Sequence, residues 1–231
     1  MKLAIMQPYL FPYIGYFQLI NAVDKFVLLD DVNFINRGWI NRNRILVNGR
    51  EYLFTVPIKK ASQNKLILEC ELSDELWQNK FLKTIEMHYK KAPYYNDVYP
   101  LIAEIVNNNQ KNLSLFILSH IQKIFKFLNL KINVIPTSSV YKTLDLKAQE
   151  KIIEICKIEK ATEYINPIGG TELYDKNRFL QENTMLFFLK TKEIKYTQFN
   201  SNFIPWLSII DLLMFNSKQT VVGFLDQYNL I

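Results

Sequence analysis

The pattern of hydrophobic and polar positions predicts that the chain opens with a strand, a helix and a second strand. Apolar runs at 3–6 and 25–29 are typical of buried strands, and residues 14–23 between them carry apolar side chains at helical spacing. Two parallel strands need a crossover of this kind, and ligands of open α/β sheets bind beyond the carboxyl ends of the strands. The polar and aromatic residues that follow these strands are Gln7, Tyr9, Asp30 and Asp31, and we predict that the first three bind substrate.

A β-hairpin and a helical region are predicted next. Asn48-Gly49 is the strongest short hairpin signal and lies between strand-like runs at 45–47 and 52–56. From residue 73 the apolar spacing becomes helical, and Ser73 with the acidic residues Asp74 and Glu75 suits a helix start. We expect three helices here, at about 73–91, 96–108 and 113–128.

After residue 130 the alternation of strands and helices resumes. Strands are predicted at 130–135, 164–165, 185–189 and 194–198, and helices at 145–160, 176–182, 207–215 and 221–228. The sequence contains no internal repeat and no stretch typical of a linker. It therefore predicts one α/β domain over residues 1–231, Rossmann-like, with a mostly parallel sheet, flanking helices, a β-hairpin and an embedded helical subdomain or insertion at about 73–130.

Separate blocks of the sequence carry a resemblance to a known family. They are, in order, MQPYLFPYIGYFQLINAVDKFVLLDDV, GWINRNRI, HYKKAPYY, YINPIGGTELYD and SIIDLLMFN. The blocks extend from near residue 1 to near residue 228, and together they resemble the WbqC-like protein family. That family is best known from gene clusters for bacterial O-antigen and other surface polysaccharides. The resemblance implies a cytoplasmic step in making or decorating an unusual sugar of such a polymer, including that of lipopolysaccharide.

The first of these blocks is also similar to the opening unit of nucleotidylyltransferases and of the pantothenate synthetase type of ligase. Those enzymes place an HxGH-type motif at the start of the first helix, where it grips triphosphate. Pro12, Tyr13, Gly15 and Tyr16 occupy that place here, and both histidines are absent. Gly15 would let a ligand approach the backbone, and Tyr13 would border it. The alternative is that Gly15 permits close packing of the helix on the sheet.

Composition indicates a folded, well-packed chain. The hydrophobic fraction is 49% and the aromatic fraction 14%, so much of the core must consist of Phe and Tyr. No uninterrupted apolar segment reaches the roughly 18 residues of a membrane span, and no signal peptide is indicated, so we expect a cytoplasmic protein without a membrane span. Cys70 and Cys156 are far apart and lack metal-ligand spacing, which favours buried free thiols.

Basic residues are concentrated between residues 37 and 65, where Glu51 is the one acidic residue. Arginine forks bind phosphate oxygens, so this segment favours a phosphate-bearing ligand over an ordinary solvated surface. It also contains an Asn-rich stretch that is typical of a site loop. The residues predicted here to bind substrate are Arg37, Trp39, Asn41, Arg42, Arg44, Lys59 and Lys60.

His88 and Asp31 are the candidates for a catalytic base. His88 lies in a block of the family resemblance near a helix end, and histidine titrates near neutral pH. The alternative for His88 is a helix C-terminal cap. Asp31, with its neighbour Asp30, could equally be a turn signal at a strand end. His120 lies beside an apolar helical stripe and is predicted to be structural.

Two later segments also carry candidates. The GGTELYD segment, preceded by Asn166, could close over a sugar, or its glycines could form a tight turn with Thr171 capping the next helix. Asp211 and Asn216 lie in an otherwise apolar helix, and we predict a structural or supporting role, with Asp211 paired to an arginine between Arg37 and Arg44. The substrate-binding candidates in the first segment are Asn166, Gly169, Gly170, Glu172 and Tyr174.

These observations support several functions. The leading one is a transferase that moves an acyl or aminoacyl group to the amine of a nucleotide-linked sugar, with an acyl thioester as a possible donor. A second is a nucleotidyl or adenylyl transferase that uses ATP with magnesium; no metal-ligand motif points to a resident metal. A nucleic-acid-binding module is less favoured because no recognisable motif accompanies the basic segment. A non-catalytic scaffold would show an exposed apolar patch instead of a deep pocket.

Overall fold

The computed structural model describes residues 1–73, 76–199 and 202–231. Its strands are β1 (Lys2–Met6), β2 (Lys25–Leu28), β3 (Arg42–Val47), β4 (Arg50–Thr55), β5 (Val134–Ile135), β6 (Glu163–Pro167), β7 (Met185–Thr191) and β8 (Tyr228–Leu230). The helices are α1 (Ile14–Asn21), α2 (Trp77–Tyr89), α3 (Tyr95–Val106), α4 (Leu113–Phe127), α5 (Ala148–Ile158), α6 (Lys176–Gln181), α7 (Ile209–Phe215) and α8 (Lys218–Phe224). Among the described helices, none is both long and apolar enough to cross a membrane.

Six of the strands form one sheet in the order β5-β2-β1-β6-β7-β8, parallel except for β8. The predicted α/β class with a mostly parallel sheet and a separate hairpin is therefore confirmed. From β1 the chain first adds β2 and β5 on one side, and then returns to the other side with β6 and β7. The direction of strand addition thus reverses between β1 and β6, which is where open α/β sheets bind ligands.

The two faces of the sheet pack against different helices. Leu3 and Ile5 of β1 belong to a core that contains Ile152 of α5, whereas Ala4 belongs to a larger core with Phe17 of α1. This division follows from the alternation of side chains along a strand. The larger core also includes the hairpin and helices α2 to α4, so the helical region packs on one face of the sheet.

The hairpin forms at the predicted turn. Asn48 and Gly49 have φ angles of 51° and 74°, and both values suit the two central positions of a type I′ turn. Val47 pairs with Arg50 across this turn. The strands begin earlier than predicted, however, so Arg42 and Arg44 belong to β3 rather than to a loop.

The helical region has the three predicted helices, with boundaries shifted by a few residues. Two residues of the predicted helix start, Asp74 and Glu75, lie outside the described residues. The residue that precedes the first turn of α2 is Leu76, whose side chain makes no capping hydrogen bond. Asn112 caps α4 by accepting a hydrogen bond from the Leu115 N–H. Cys70, before this region, and Cys156 in α5 are buried free thiols as predicted.

The predicted strand at 194–198 is wrong. Tyr196 and Gln198 instead donate hydrogen bonds to the Asp211 carboxylate, each at 2.7 Å, and the segment belongs to no described strand. The predicted final helix ends at Phe224, and the chain then forms β8, where Leu230 pairs with Leu189. Antiparallel pairing with β7 supplies the backbone hydrogen bonds that a helix would have made internally.

Asp211 does not pair with an arginine, contrary to the prediction. Its Oδ2 accepts from the Tyr89 hydroxyl at 2.9 Å, in addition to the two bonds at Oδ1. The Tyr89 hydroxyl in turn accepts from the Leu46 N–H at 2.7 Å. Burial raises the pKa of Asp211, although its hydrogen bonds act in the opposite direction. Neutral donors therefore satisfy this carboxyl group and tie α2, β3 and α7 together.

The loop after β1 is held by buried polar side chains from three distant elements. Phe11 has a left-handed φ of 41°, an unfavourable conformation for a residue with a bulky side chain. Its N–H donates to Nε2 of His120 in α4 at 3.1 Å. Its carbonyl oxygen accepts from Asn43 Nδ2 of β3 at 2.5 Å and from Ser208 Oγ before α7 at 2.8 Å. The His120 and Phe11 rings also stack with centroids 4.7 Å apart, in keeping with the structural role predicted for His120.

The buried His120 should make stability depend on pH. Burial lowers its pKa from 6.5 to about 3, because a charged imidazolium is poorly solvated there. The unfolded chain then takes up a proton below pH 6.5 that the folded chain does not. We expect the free energy of unfolding to fall by about 1.4 kcal/mol for each pH unit as pH decreases from 6.5 towards 3.

Urea unfolding at pH 7 and at about pH 5 measures this contribution. His120→Gln, which keeps an acceptor for the Phe11 N–H, should show a smaller decrease than the unmodified protein. His88→Gln removes the other histidine and should keep the full decrease. An equal pH dependence in His120→Gln and the unmodified protein would contradict the assignment.

Removal of the Tyr89 hydroxyl should be costly. In Tyr89→Phe the Leu46 N–H loses its acceptor and Asp211 loses one donor, and unsatisfied buried groups of this kind cost about 1–3 kcal/mol. Chemical denaturation should show that loss in the free energy of unfolding. Tyr99→Phe, at a half-buried tyrosine of α3, should change stability by less than about 0.5 kcal/mol. Similar values for both variants would show that the hydroxyl network is not stabilising.

Candidate functional site

A crevice opens at the carboxyl ends of β1 and β6, where the direction of strand addition reverses. Gln7 follows β1 directly and Pro167 is the last residue of β6. The cavity has a volume of about 290 Å³, and most of its wall is apolar or aromatic. Its lining residues are Met6, Gln7, Pro8, Tyr9, Tyr13, Tyr16, Ile35, Gly38, Trp39, Ile40 and Pro167.

Aromatic rings form a row along this edge of the sheet. The ring centroids of Trp39 and Tyr9 are 6.1 Å apart, those of Tyr9 and Tyr13 are 6.4 Å apart, and Tyr13 lies 5.8 Å from Trp206. Tyr16 meets Tyr9 edge-on at 6.1 Å. Such spacings are typical of packed aromatic pairs, so the rings support one another in a fixed arrangement.

The tyrosines of the crevice are hydrogen-bond donors at neutral pH. Burial raises the pKa of Tyr9, Tyr13 and Tyr16, because a phenolate would be poorly solvated there. For Tyr9 the charge of Tyr13 acts in the same direction, whereas the Arg44 charge acts against it. The Tyr16 hydroxyl donates to the carbonyl oxygen of Gln7 at 2.9 Å, which fixes the chain just past β1.

Two arginines contact Trp39, a residue of the crevice wall. The guanidinium carbons of Arg42 and Arg44 lie 5.6 Å and 5.2 Å from the Trp39 ring centroid, within the range of cation–π contacts. Arg42 Nε donates to the Gly38 carbonyl at 2.8 Å, and Arg44 pairs with Glu51 at 2.7 Å. Within the described chain, the buried Nε of Arg44 has no hydrogen-bond partner.

Strand alternation explains why neighbouring residues of β3 have different partners. Arg42 and Arg44 are two residues apart and lie on one face, while Asn43 lies on the other and is fully buried. Asn43 Nδ2 donates to the carbonyl oxygens of Leu10 and Phe11. One strand therefore supplies both the cations beside Trp39 and a support for the loop after β1.

Gly15 serves helix packing in this structure. A Cβ at this position would lie 2.4 Å from the Tyr13 ring and 2.7 Å from Thr191 Oγ1 of β7. Neither distance is possible without displacement of the neighbour, so α1 approaches the sheet closely because residue 15 lacks a side chain. The geometry favours the packing alternative, and a ligand contact at Gly15 stays a prediction.

The segment after β6 is a compact turn. Asn166 is buried, and its Nδ2 donates to the Tyr164 hydroxyl at 2.7 Å. A Cβ on Gly170 would lie 2.1 Å from Asn166 Oδ1, whereas a Cβ on Gly169 would meet no atom within 4 Å. The surroundings therefore require a residue without a Cβ at position 170 but not at position 169. The substrate-binding roles of Asn166, Gly169 and Gly170 stay predictions.

The rest of that segment packs against α6. Tyr174 contacts Tyr164 with ring centroids 6.0 Å apart, and burial raises the pKa of Tyr174. Asp175 caps α6 by accepting from the Asn177 N–H, so the cap at Thr171 that the tight-turn alternative included is not formed. Glu172 is exposed beside this turn.

Asp30 lies buried after β2 and binds residues from α4 and from the segment after β5. It accepts hydrogen bonds from Ser114 Oγ at 2.8 Å, Thr137 Oγ1 at 2.7 Å and the Ser138 N–H at 3.1 Å. Burial raises the pKa of Asp30, and these hydrogen bonds act in the opposite direction. Its carboxylate thus holds the turn at 138–141 against the sheet.

Asp31 is also buried. It accepts from the Ser138 hydroxyl and forms a buried ion pair with Lys151 of α5 at 2.8 Å. Strand alternation does not separate the two aspartates, because β2 ends at Leu28, before the pair. Asp31 is not part of the crevice wall, so its catalytic role stays a prediction that would need access to a buried pair.

The remaining candidates lie outside the crevice. His88, near the end of α2, lines a separate groove of about 520 Å³ that shares no lining residue with the crevice. Lys59 pairs with Glu71 at 3.8 Å, and Asn41 donates to the Val56 carbonyl at 2.8 Å. Asn216 donates to the Leu212 carbonyl at 2.8 Å, a supporting contact. The last two candidates, Arg37 and Lys60, are exposed.

Some crevice residues were not predicted from the sequence. Tyr16 and Ile35 line it, and Trp206 extends the aromatic row. Tyr16 belongs to the stretch that occupies the place of the HxGH-type motif, and that position could have indicated it. Trp206, with a φ of 61°, lies in an irregular segment without a periodic signal, so only the tertiary structure reveals its place.

Comparisons with known proteins agree with the family resemblance of the sequence blocks. The WbqC-like protein family matches residues 7–222. The chain is also 29% identical over 215 residues to the uncharacterized protein Rv1507c of Mycobacterium tuberculosis, a match that covers 92% of each chain. No solved structure matches. Because the family match covers nearly the whole chain, the protein belongs to the WbqC-like protein family.

Proposed function

We propose that the protein is an enzyme of bacterial surface-polysaccharide biosynthesis that transfers an acyl or aminoacyl group to the amine of a nucleotide-linked sugar. One observation carries the proposal: an aromatic crevice, whose wall residue Trp39 contacts two arginines, lies where this sheet type binds ligands. Membership of the WbqC-like family supplies the polysaccharide context.

The crevice has chemistry suited to both ends of such a substrate. Flat aromatic faces such as those of Trp39 and Tyr9 stack on nucleobases and on the apolar faces of sugar rings. Protonated phenols at Tyr9 and Tyr13 can donate to sugar oxygens. The guanidinium groups of Arg42 and Arg44 provide charge for the diphosphate, which carries oxygens in the geometry that arginine binds best.

The proposed reaction joins the sugar amine to an activated carbonyl. The amine nitrogen attacks the carbonyl carbon of an acyl thioester, the new C–N bond forms and the C–S bond breaks. The sulfur leaves as a thiolate, which accepts the proton that the amine releases through a base. His88 and Asp31 are the predicted bases, and since neither lines the crevice, either must act through movement of the chain or of the substrate.

Loss of the Trp39 ring should weaken nucleotide-sugar binding. Base stacking on an aromatic ring contributes about 1–3 kcal/mol, so Trp39→Ala should raise the Kd for the UDP-, GDP- or dTDP-sugar that binds by about 5- to 150-fold. Isothermal titration calorimetry measures the change. Trp39→Phe should retain most of the affinity, and Tyr52→Ala, at an exposed hairpin ring outside the crevice wall, should leave it unchanged.

Two results would overturn the proposal. One is unchanged nucleotide-sugar affinity in Trp39→Ala. The other is stabilisation of the unmodified protein by ATP with magnesium and by no nucleotide-sugar, which would favour the adenylyl-transfer function. A ligand that binds only the folded state raises the melting temperature, so a thermal-shift screen separates these cases.

The arginine pair should recognise phosphate specifically. We expect Arg42→Ala with Arg44→Ala to weaken binding of the sugar nucleotide by at least about tenfold, since hydrogen bonds to charged groups contribute about 1.5–3 kcal/mol each. Binding of the uncharged nucleoside should change much less. Arg50→Ala, at an exposed arginine of β4, is the matched control. Equal losses for nucleotide and nucleoside would show that the pair acts through packing on Trp39 instead.

A further inference from the structure

A second cavity lies at the same edge of the sheet, past the end of β7. Its volume is about 360 Å³, within the size range of small-molecule sites. Tyr13 is the one residue of its wall that the sequence predicts to bind substrate. The lining residues are Tyr13, Ile14, Thr191, Lys192, Glu193, Ile194, Lys195, Tyr196, Phe203, Pro205, Trp206, Leu207 and Leu212.

The wall of this cavity offers apolar surface rather than hydrogen bonds. Of its three lining hydroxyls, two are engaged within the protein: Thr191 Oγ1 donates to Gln18 Oε1 at 2.8 Å, and the Tyr196 hydroxyl donates to Asp211 at 2.7 Å. The third belongs to Tyr13, which also lines the crevice. A polar ligand such as a second sugar would find few partners for the hydrogen bonds that it loses to water in this interior, which is unfavourable. An apolar group would lose none, so the interior favours an acyl or aryl group.

The mouth of the cavity is charged. Lys192, Glu193 and Lys195 are all exposed there, and Lys195 pairs with Glu193 at 2.7 Å. Two lysines against one glutamate leave a net positive charge at the opening. The charged mouth and apolar interior together suit a ligand with an apolar end and an anionic end.

Tyr13 separates this second cavity from the crevice, because its ring lines both. Trp206 meets the same ring edge-on, with centroids 5.8 Å apart and planes at 76°. A transferase must hold two substrates with their reacting groups in contact. Adjacent cavities that share one ring provide that arrangement.

We propose that the second cavity binds the apolar acyl group of the second substrate, with the anionic carrier of that group at Lys192 and Lys195. This inference rests on the proposed function, since it supplies the donor for the same transfer. The crevice would hold the nucleotide-linked sugar on one side of Tyr13, and the second cavity would hold the acyl group on the other.

Acyl-CoA probes of increasing length test the proposal. Acetyl-, butanoyl- and hexanoyl-CoA are titrated into the full-length protein, with free CoA as the reference. Each buried methylene contributes about 0.8 kcal/mol, so we expect affinity to rise by about fourfold per added CH₂ until the cavity is filled. Affinity that does not depend on chain length would overturn the proposal.

Variants that fill one cavity at a time separate the two sites. Ile194→Trp, at a half-buried wall position of the second cavity, should abolish the gain with chain length and leave nucleotide-sugar binding intact. Ile35→Trp fills the crevice and should have the opposite effects. A chain-length gain that survives in Ile194→Trp would overturn the proposal.

The charge at the mouth is tested separately with exposed residues, whose replacement should not impair folding. Lys192→Ala should weaken binding of every CoA probe by a similar factor, whereas Lys190→Ala, outside the cavity wall, should not. Equal effects of both changes would overturn the role of the lysines. A chain-length gain together with no binding of any nucleotide-sugar would overturn the proposed function but support an acyl site here.

Discussion

The site depends on the hydrogen bonding of Phe11 in the loop that follows β1. A left-handed φ at a phenylalanine persists only where the surroundings fix it, and here three side chains from α4, β3 and the start of α7 bind its backbone. That loop carries Tyr9 and Tyr13 to the edge of the sheet. Elements far apart in sequence therefore determine the position of two crevice residues through backbone contacts, without lining the crevice themselves.

The helical region gains a function from this arrangement. Residues of α2 and α4 do not line the crevice, yet His120 of α4 supports the loop after β1. Tyr89 of α2 donates to the Asp211 carboxyl group, which also accepts from Tyr196. Polar groups buried in this way are stabilising only when their partners are in place. The helices thus act as a rigid support for the edge of the sheet rather than as a separate unit.

Local chemistry explains which features could be predicted from the sequence. The hairpin at Asn48-Gly49 and the end of the first strand before Gln7 follow from short-range rules, and the structure confirms both. Residues 194–198 have strand-like alternation, but side-chain bonds to Asp211 outweigh ladder formation there. The order of motifs along a chain carries no information on distance, so only the tertiary structure shows that His88 lines a groove separate from the crevice.

The shared ring of Tyr13 has a thermodynamic consequence for an enzyme that fills both cavities. A ligand in one cavity that shifts this ring changes the shape of the other, so the two binding events are coupled. Linkage then requires reciprocity: the factor by which the sugar nucleotide changes the Kd of the donor equals the factor by which the donor changes that of the sugar nucleotide. Coupling of this kind needs no conformational change beyond the movement of one side chain.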